Sequence, residues 1–346
     1  MAWEPRAVRD FAAELFTKAG LDHEKAEAVA TYLLEADLMG HTTHGLALAP
    51  WYLRGIEDGV MTRTGTPEVI SDRGAAICWR GRRLPGAWLT SQGLTLACER
   101  ARQYGTATLV IGDSHHIGAL AAYLHIATDQ GLLAFIASSS PSGAQVAPFG
   151  GTGGVFTPNP VAWGIPAPDG PILIDISASI TTANMCARMV REGQTYPHQW
   201  LMDAAGAPTN DPVVLSQGGT LLPTGGLDHG QKGYGMALSV EALTQGLAGY
   251  GRADQPAGTN AAVSIAVYDP EAFGGRTAFL RQIGWLAEAC LSSPARDPVQ
   301  PVRLPGQAAQ TRKAEALASG IVFHAGIVDD MRLEAKRYGL VFPEAI

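Results

Sequence analysis

A chain of 346 residues exceeds the ~250–300 at which single cores stop growing, so two or three subdomains are expected. Hydrophobic residues make up 46% and charged residues only 16%, which supplies apolar surface for a large core and for an oligomer interface. A net charge of −7, with basic residues scattered, argues against nucleic acid as the partner, and no run reaches the ~18 uncharged apolar residues of a membrane span.

The stretch 5–20 is amphipathic, with Val8, Phe11, Ala12, Leu15 and Phe16 on one face. That predicts a helix and not a signal peptide. Gly20 stops it, and Asp22 caps a second helix over about 24–38, with Ala26, Val29, Ala30, Leu33 and Leu34 inward. Residues 41–60 read as a polar turn into a short helix, and 67–80 as strands around Asp72-Arg73-Gly74. A helix over 88–104 leads to the apolar, β-rich TATLVIGD (106–113), which breaks at GDSHHIGAL and resumes as helix to about 129. GLLAFIASSS (131–140) and PILIDISAS (171–179) are further strands, and this order predicts a mostly parallel sheet. Residues 181–192 are predicted helical, 203–226 irregular, 232–248 helical, 262–268 a strand and 276–292 a helix. An extended linker follows over 293–311, then two short helices over 312–338. Cys78, Cys98, Cys186 and Cys290 form no C-x-x-C pair, which fits reduced thiols in the cytoplasm better than a disulfide or zinc framework.

Four clusters combine glycine, histidine and small polar residues at turns and strand ends, where α/β folds place ligands. In Gly40-His41-Thr42-Thr43-His44-Gly45, His44 can serve as a proton donor oriented by Thr43; the plainer alternative is a helix cap with solvated histidines. His41 and His44 lack a third ligand nearby, so no metal is expected. Asp113-Ser114-His115-His116-Ile117-Gly118-Ala119 lies at a strand-to-helix switch suited to phosphate, with His116 facing phosphate or substrate; Ser114 as an ordinary N-cap is the alternative. Asp175-Ile176-Ser177 ends an apolar strand, as a hydroxyl-binding carboxylate or another cap. The glycine-rich 225–235 carries Gln231 and Lys232, a point charge for phosphate or part of a surface loop. The chain has no G-x-G-x-x-G, no G-x-x-x-x-G-K-[ST], no G-x-S-x-G and no H-E-x-x-H, so the usual signals for a standard dinucleotide fold, an ATPase, a serine hydrolase and a zinc protease are missing.

Taken in order, ADLMGHTTHGL (36–46), GDSHHIGALAAY (112–123), APFGGTGGVFTPNPVAWGIPAP (147–168), ILIDISAS (172–179), KGYGMALSVEALTQGLAG (232–249) and RLPGQ (303–307) resemble the malate/L-lactate dehydrogenase type 2 family over about residues 5–340. The resemblance implies an α/β fold whose mixed-sheet nicotinamide-binding domain lacks the glycine fingerprint, a helical domain built from both termini, and a homodimer. The expected division is 1–60 with 312–346 as the helical domain, 61–110 with 293–311 as a connecting domain, and 111–292 as the nicotinamide-binding domain. It also implies His44 as proton donor with Thr43 beside it, and His116 as a second acid/base or a cofactor contact. Gly118, Ala119, Leu120, Asp175, Ile176, Ser177, Gln231, Lys232, Gly306 and Gln307 match cofactor-contacting stretches, and Asn159 matches a substrate-side asparagine. Where the family often places two arginines that would hold a substrate carboxylate, this chain has Leu48 and Trp51, and Met185 stands where some members carry a relay aspartate. Arg188 is the nearest replacement cation by motif position.

These readings converge on hydride transfer between NAD or NADP and a small 2-hydroxy or 2-oxo acid. The absence of arginine from Gly306-Gln307-Ala308-Ala309 favours NAD. The alternatives are a reductase of cyclic or N-alkyl imines and, from another class, a nucleotide-binding paralogue without chemistry.

Overall fold

The computed structural model describes all 346 residues. Helix α1 (Pro5–Lys18) begins where the Glu4 carboxylate accepts the Arg6 and Ala7 N–H groups, two of the donors a helix start leaves free. Its apolar stripe faces α2 (His23–Leu38). The chain then turns sharply over 39–45 into α3 (Ala49–Glu57). A hairpin of β1 (Glu68–Asp72) and β2 (Ala76–Arg80) follows. The long α4 (Gly86–Tyr104) stops at Gly105, which takes the left-handed conformation at φ 85°.

Next come β3 (Thr106–Ser114), the single-turn α5 (His125–Thr128), β4 (Leu133–Ser139), β5 (Val161–Ile165), β6 (Ile172–Ile176) and α6 (Ala183–Arg191). A small three-stranded sheet joins β7 (Leu201–Met202), β8 (Pro208–Thr209) and β9 (Thr220–Leu221), which gives more order to 203–226 than its composition predicts. The short α7 (Gly226–His229) precedes α8 (Gln231–Glu241), which continues into a π-helical turn over Ala242–Gly246. The chain ends with β10 (Ala261–Tyr268), α9 (Arg276–Leu291), α10 (Gln307–Ser319) and α11 (Ile327–Arg337). The linker after α9 is therefore shorter than predicted, because α10 starts at Gln307.

The main sheet has the order β1-β2-β3-β10-β4-β5-β6. The expectation of mostly parallel pairing is corrected: only β2 and β3 run parallel, and every other neighbouring pair is antiparallel. β3 and β4 do point the same way, but β10 lies between them and runs against both. A strand buried on both faces reads as a continuous apolar run whatever its direction. β10 is such a strand, with every residue but Tyr268 buried. The helix expected to continue through 115–129 is reduced to a 3-10 turn and α5. The backbone there is bound elsewhere: His115 N–H donates to Leu84 O, and the Tyr123 hydroxyl donates to Ile117 O.

Two large cores result. One gathers residues of α1, α2 and α3 with Ile321, Ile327, Met331, Ala335 and Phe342 from the C-terminal segment. The other fills the space between α4 and the sheet, around Leu89, Leu109, Ile111 and Ile265. The first core carries the 41–45 turn, and the second carries the end of β3. Their meeting brings two histidines, 72 positions apart, face to face.

Candidate active site

The turn that presents His44 is shaped from below by Asp37. Its Oδ2 accepts the Leu46 N–H at 2.7 Å, and Gly45 lies so close over the carboxyl that a Cβ there would collide with it. Burial pushes the Asp37 carboxyl up to about 7, against the Leu46 hydrogen bond and Arg188, which pull it down. On top of the turn, Thr43 Oγ1 lies 3.0 Å from His44 Nδ1. Burial, helped by His41 and Arg188, pushes the His44 imidazole down to about 4, so it is neutral near pH 7.

His116 stands opposite, with ring centroids 6.0 Å apart and planes 24° from parallel. Its Nδ1 meets the Gly118 N–H at 3.3 Å and the Tyr52 hydroxyl at 2.7 Å. A backbone N–H can only donate, so Nδ1 is an acceptor and the ring proton sits on Nε2. Burial holds this imidazole well below its ordinary pKa, with His44 and His115 adding to the effect. Tyr52 is fully buried, and sequence reasoning missed it. It follows Trp51 in an apolar helix, where its hydroxyl leaves no periodic signal. Asp37 was missed for a similar reason, since it reads as one more polar residue near a helix end.

Both imidazoles open on a cleft of about 900 Å³. Thr43, Trp51, Gly118, Ala119, Leu120, Asp175, Ile176 and Ser177 line it as well. Asp175 Oδ2 accepts the Ala121 N–H at 2.8 Å, and burial raises its pKa, opposed by His41. On another wall, Asn260 is 2% exposed and neither of its amide atoms has a partner; Gln145 Oε1 is also buried and unpartnered. An unmet buried polar group costs about 1–3 kcal/mol, so this wall suits a ligand rich in hydroxyl and amide groups. Ser139, beside it, is held by Thr244 Oγ1 at 2.7 Å and Gln245 Nε2 at 2.8 Å. Both partners come from the π turn that ends α8, a feature frequent at functional sites.

Several expected residues lie elsewhere. Leu48 is 7% exposed and packs into the helical core, because the short helical turn that follows Gly45 points it inward. Asn159 is fully buried and spoken for: it accepts from Thr157 Oγ1 (2.7 Å) and donates to Glu241 Oε1 (2.9 Å) and Ala237 O (3.2 Å). Its left-handed φ of 45° turns the chain, and Pro158 and Pro160 line the cleft instead. Gln231 and Lys232 are exposed at the start of α8 and do not line the cleft. Gly233 is the residue that faces inward, tight against the backbone of Ala178 and Thr224. Arg188 does not line the cleft either: its Nη1 donates to Thr42 Oγ1 at 2.9 Å, on the flank of α6 facing the turn. Gln307 lines a separate groove with Arg303 and Arg312, and Gly306 packs on Leu173 of β6, two residues from Asp175. No group of three or more histidine, cysteine or carboxylate side chains is placed to hold a metal ion.

The profile of the malate/L-lactate dehydrogenase family matches residues 3–332. Hydroxycarboxylate dehydrogenase B of Escherichia coli O157:H7 is 28% identical over 333 residues, 94% of this chain and 91% of that protein. The (2R)-3-sulfolactate dehydrogenase (NADP(+)) of Chromohalobacter salexigens is 28% identical over 339 residues, 95% of this chain and 97% of that one. The solved structure of delta1-piperideine-2-carboxylate reductase from Pseudomonas syringae pvar. tomato matches with a TM-score of 0.85 at 26% identity, covering 97% of this chain and 100% of that one. A profile match that spans nearly the whole chain, with a shared fold, gives one conclusion: the chain is an oxidoreductase belonging to the malate/L-lactate dehydrogenase family.

Proposed function

We propose that the protein transfers a hydride between a nicotinamide cofactor and a small 2-hydroxy or 2-oxo acid, with His44 moving the proton. The observation that carries this reading is the facing pair of neutral imidazoles, His44 and His116, on the wall of one cleft. The nicotinamide, when bound, supplies or takes the hydride at its C4 carbon. Gly118, Ala119, Leu120 and the strand end Asp175–Ser177 would hold it, and the unpartnered amides of Asn260 and Gln145 offer its polar groups hydrogen bonds.

The two histidines divide the work. His116 has Nδ1 filled by Tyr52 and Gly118, so its Nε2–H donates and polarises the substrate oxygen. His44 leans its Nδ1 on Thr43 and leaves Nε2 for the substrate. With Nδ1–H donating to Thr43 Oγ1, Nε2 accepts the hydroxyl proton during oxidation and returns it during reduction. A positioned acid or base of this kind is worth about 10²–10⁴-fold. A panel of 2-oxo acids assayed with NADH and NADPH tests the reading; no turnover with any member sinks it. NAD is the proposed partner, because no lysine or arginine lines the cleft to meet a 2′-phosphate. Tighter binding of NADPH would point instead to Arg303 or Arg312 beside Gln307.

The likeness to a piperideine-carboxylate reductase favours one second reading, reduction of a cyclic or N-alkyl imine. Activity on an imine but not on its keto acid selects it. A homodimer is part of the proposal. α9 buries none of its 16 residues, and Trp285 and Phe273 are 68% and 67% exposed. An apolar face of this kind suits a second copy of the chain, and light scattering of the purified protein checks it.

A further inference from the structure

The cleft has an apolar corner. α6 turns Met185 and Met189, one helical turn apart, toward it. Asn184 Nδ2 donates to Thr43 O at 3.4 Å, so this wall stands beside the turn that carries His44. Tyr196 and Trp200 extend the wall, with ring centroids 5.0 Å apart. The Tyr196 hydroxyl is already paired with Thr181 Oγ1 (2.9 Å) and Cys186 Sγ (3.3 Å), so the residue offers its ring to the cleft and not its polar end. Trp51 adds another ring, edge-on to His116 at 5.2 Å. No lysine or arginine lines the cleft, and its single carboxylate is Asp175.

We propose that the side group of the substrate is uncharged and apolar, preferably aromatic, and that Met185, Met189, Tyr196 and Trp200 hold it. This deepens the proposed function and rests on it. A second acidic group buried against this wall would lose its hydration, and the nearest cation, Arg188, lies outside the lining with its Nη1 on Thr42 Oγ1. A phenyl group would exclude water from two thioethers and two rings, and gain sulfur–aromatic and aromatic contacts. Burial of such a group corresponds to about 10–100-fold in kcat/KM over a methyl group.

The test compares kcat/KM for phenylpyruvate, pyruvate and oxaloacetate at saturating reduced cofactor. Phenylpyruvate is expected to exceed pyruvate by at least about tenfold, with oxaloacetate the poorest of the three. Trp200→Ala and the milder Met189→Ala should each lower the phenylpyruvate-to-pyruvate ratio by about tenfold, whatever they do to the absolute rates. Oxaloacetate turned over as well as phenylpyruvate, or a ratio that neither variant moves, overturns the inference. If none of the acids is reduced with either cofactor, the proposed function itself fails. The side pocket is then decided by binding of 3-phenylpropanoate against succinate, followed by tryptophan fluorescence. Tighter binding of 3-phenylpropanoate upholds the apolar pocket, and equal or tighter succinate overturns it.

Discussion

The Tyr52 hydroxyl lies 2.7 Å from Nδ1 of His116, in the fully buried layer between the helical core and the end of β3. It reaches the imidazole across 64 residues of sequence, and with the Gly118 N–H it settles which ring nitrogen carries the proton. Tyr52→Phe keeps the ring and removes only this restraint. The expected result is a lower kcat with cofactor affinity nearly unchanged, and a loss of stability of about 0.5–1.5 kcal/mol from one buried hydrogen bond. Steady-state kinetics and urea unfolding check both; an unchanged kcat would show that His116 needs no orientation by Tyr52.

His44→Ala should lower kcat by at least about 10²-fold and leave the dissociation constant of the reduced cofactor nearly intact. The reason is the position of His44 on the cleft wall with Nδ1 on Thr43. Normal turnover in this variant would remove His44 from the proton path and promote His116.

The pH profile follows from the burial of His44, whose pKa is pushed down to about 4. Oxidation needs the neutral ring. Its kcat/KM should therefore be flat above about 4 and fall as the pH drops through that value. Reduction needs the protonated ring, so its kcat/KM should fall as the pH rises above about 4, up to tenfold per unit. Profiles measured in both directions, for the wild type and His44→Ala, test this; an acid limb that survives in the variant belongs to another group.

Asp37 gives a stability prediction of definite sign. Its folded pKa is raised to about 7 from 3.8, so ionisation penalises the folded state as the pH rises between those values. Asp37→Asn keeps an acceptor for Leu46 N–H and cannot ionise. Its stability relative to the wild type should therefore grow with pH from about 4, by up to ~1.4 kcal/mol per unit, and level off above about 7. Urea midpoints at pH 5, 6, 7 and 8 give the comparison. A difference that does not change with pH would mean Asp37 is already ionised in the fold.

Reduced nicotinamide cofactor should bind without added metal. Nowhere do three ligating side chains gather, and His41 and His44 sit on one turn without a third ligand. Dialysis against chelator should leave both binding and turnover unchanged. Loss of either, restored by zinc or magnesium, would contradict this.

The parts of this protein that were legible in its sequence are those set by short-range rules. Helices α1 and α2 follow from apolar residues recurring every three to four positions, and β3, β4 and β10 from compact apolar runs bounded by glycine or polar residues. The residues that mark His44 and His116 stood out because glycines and hydroxyls cluster around them. Tertiary structure alone decided what such patterns cannot encode. Strand direction was one case: β10, read correctly as a strand, runs against β3 and β4 because its place between them is chosen by packing on both faces, far from it in sequence. Side-chain direction within motifs was the other. Leu48 and Trp51 lie three residues apart, yet Leu48 is buried in the helical core and Trp51 lines the cleft. Asn159 is consumed by Thr157, Ala237 and Glu241, and Lys232 points to solvent while Gly233 faces in. A motif brings residues to a neighbourhood, but which atoms face the ligand depends on turns one residue long and on partners many tens of residues away, and both are fixed only when the cores close.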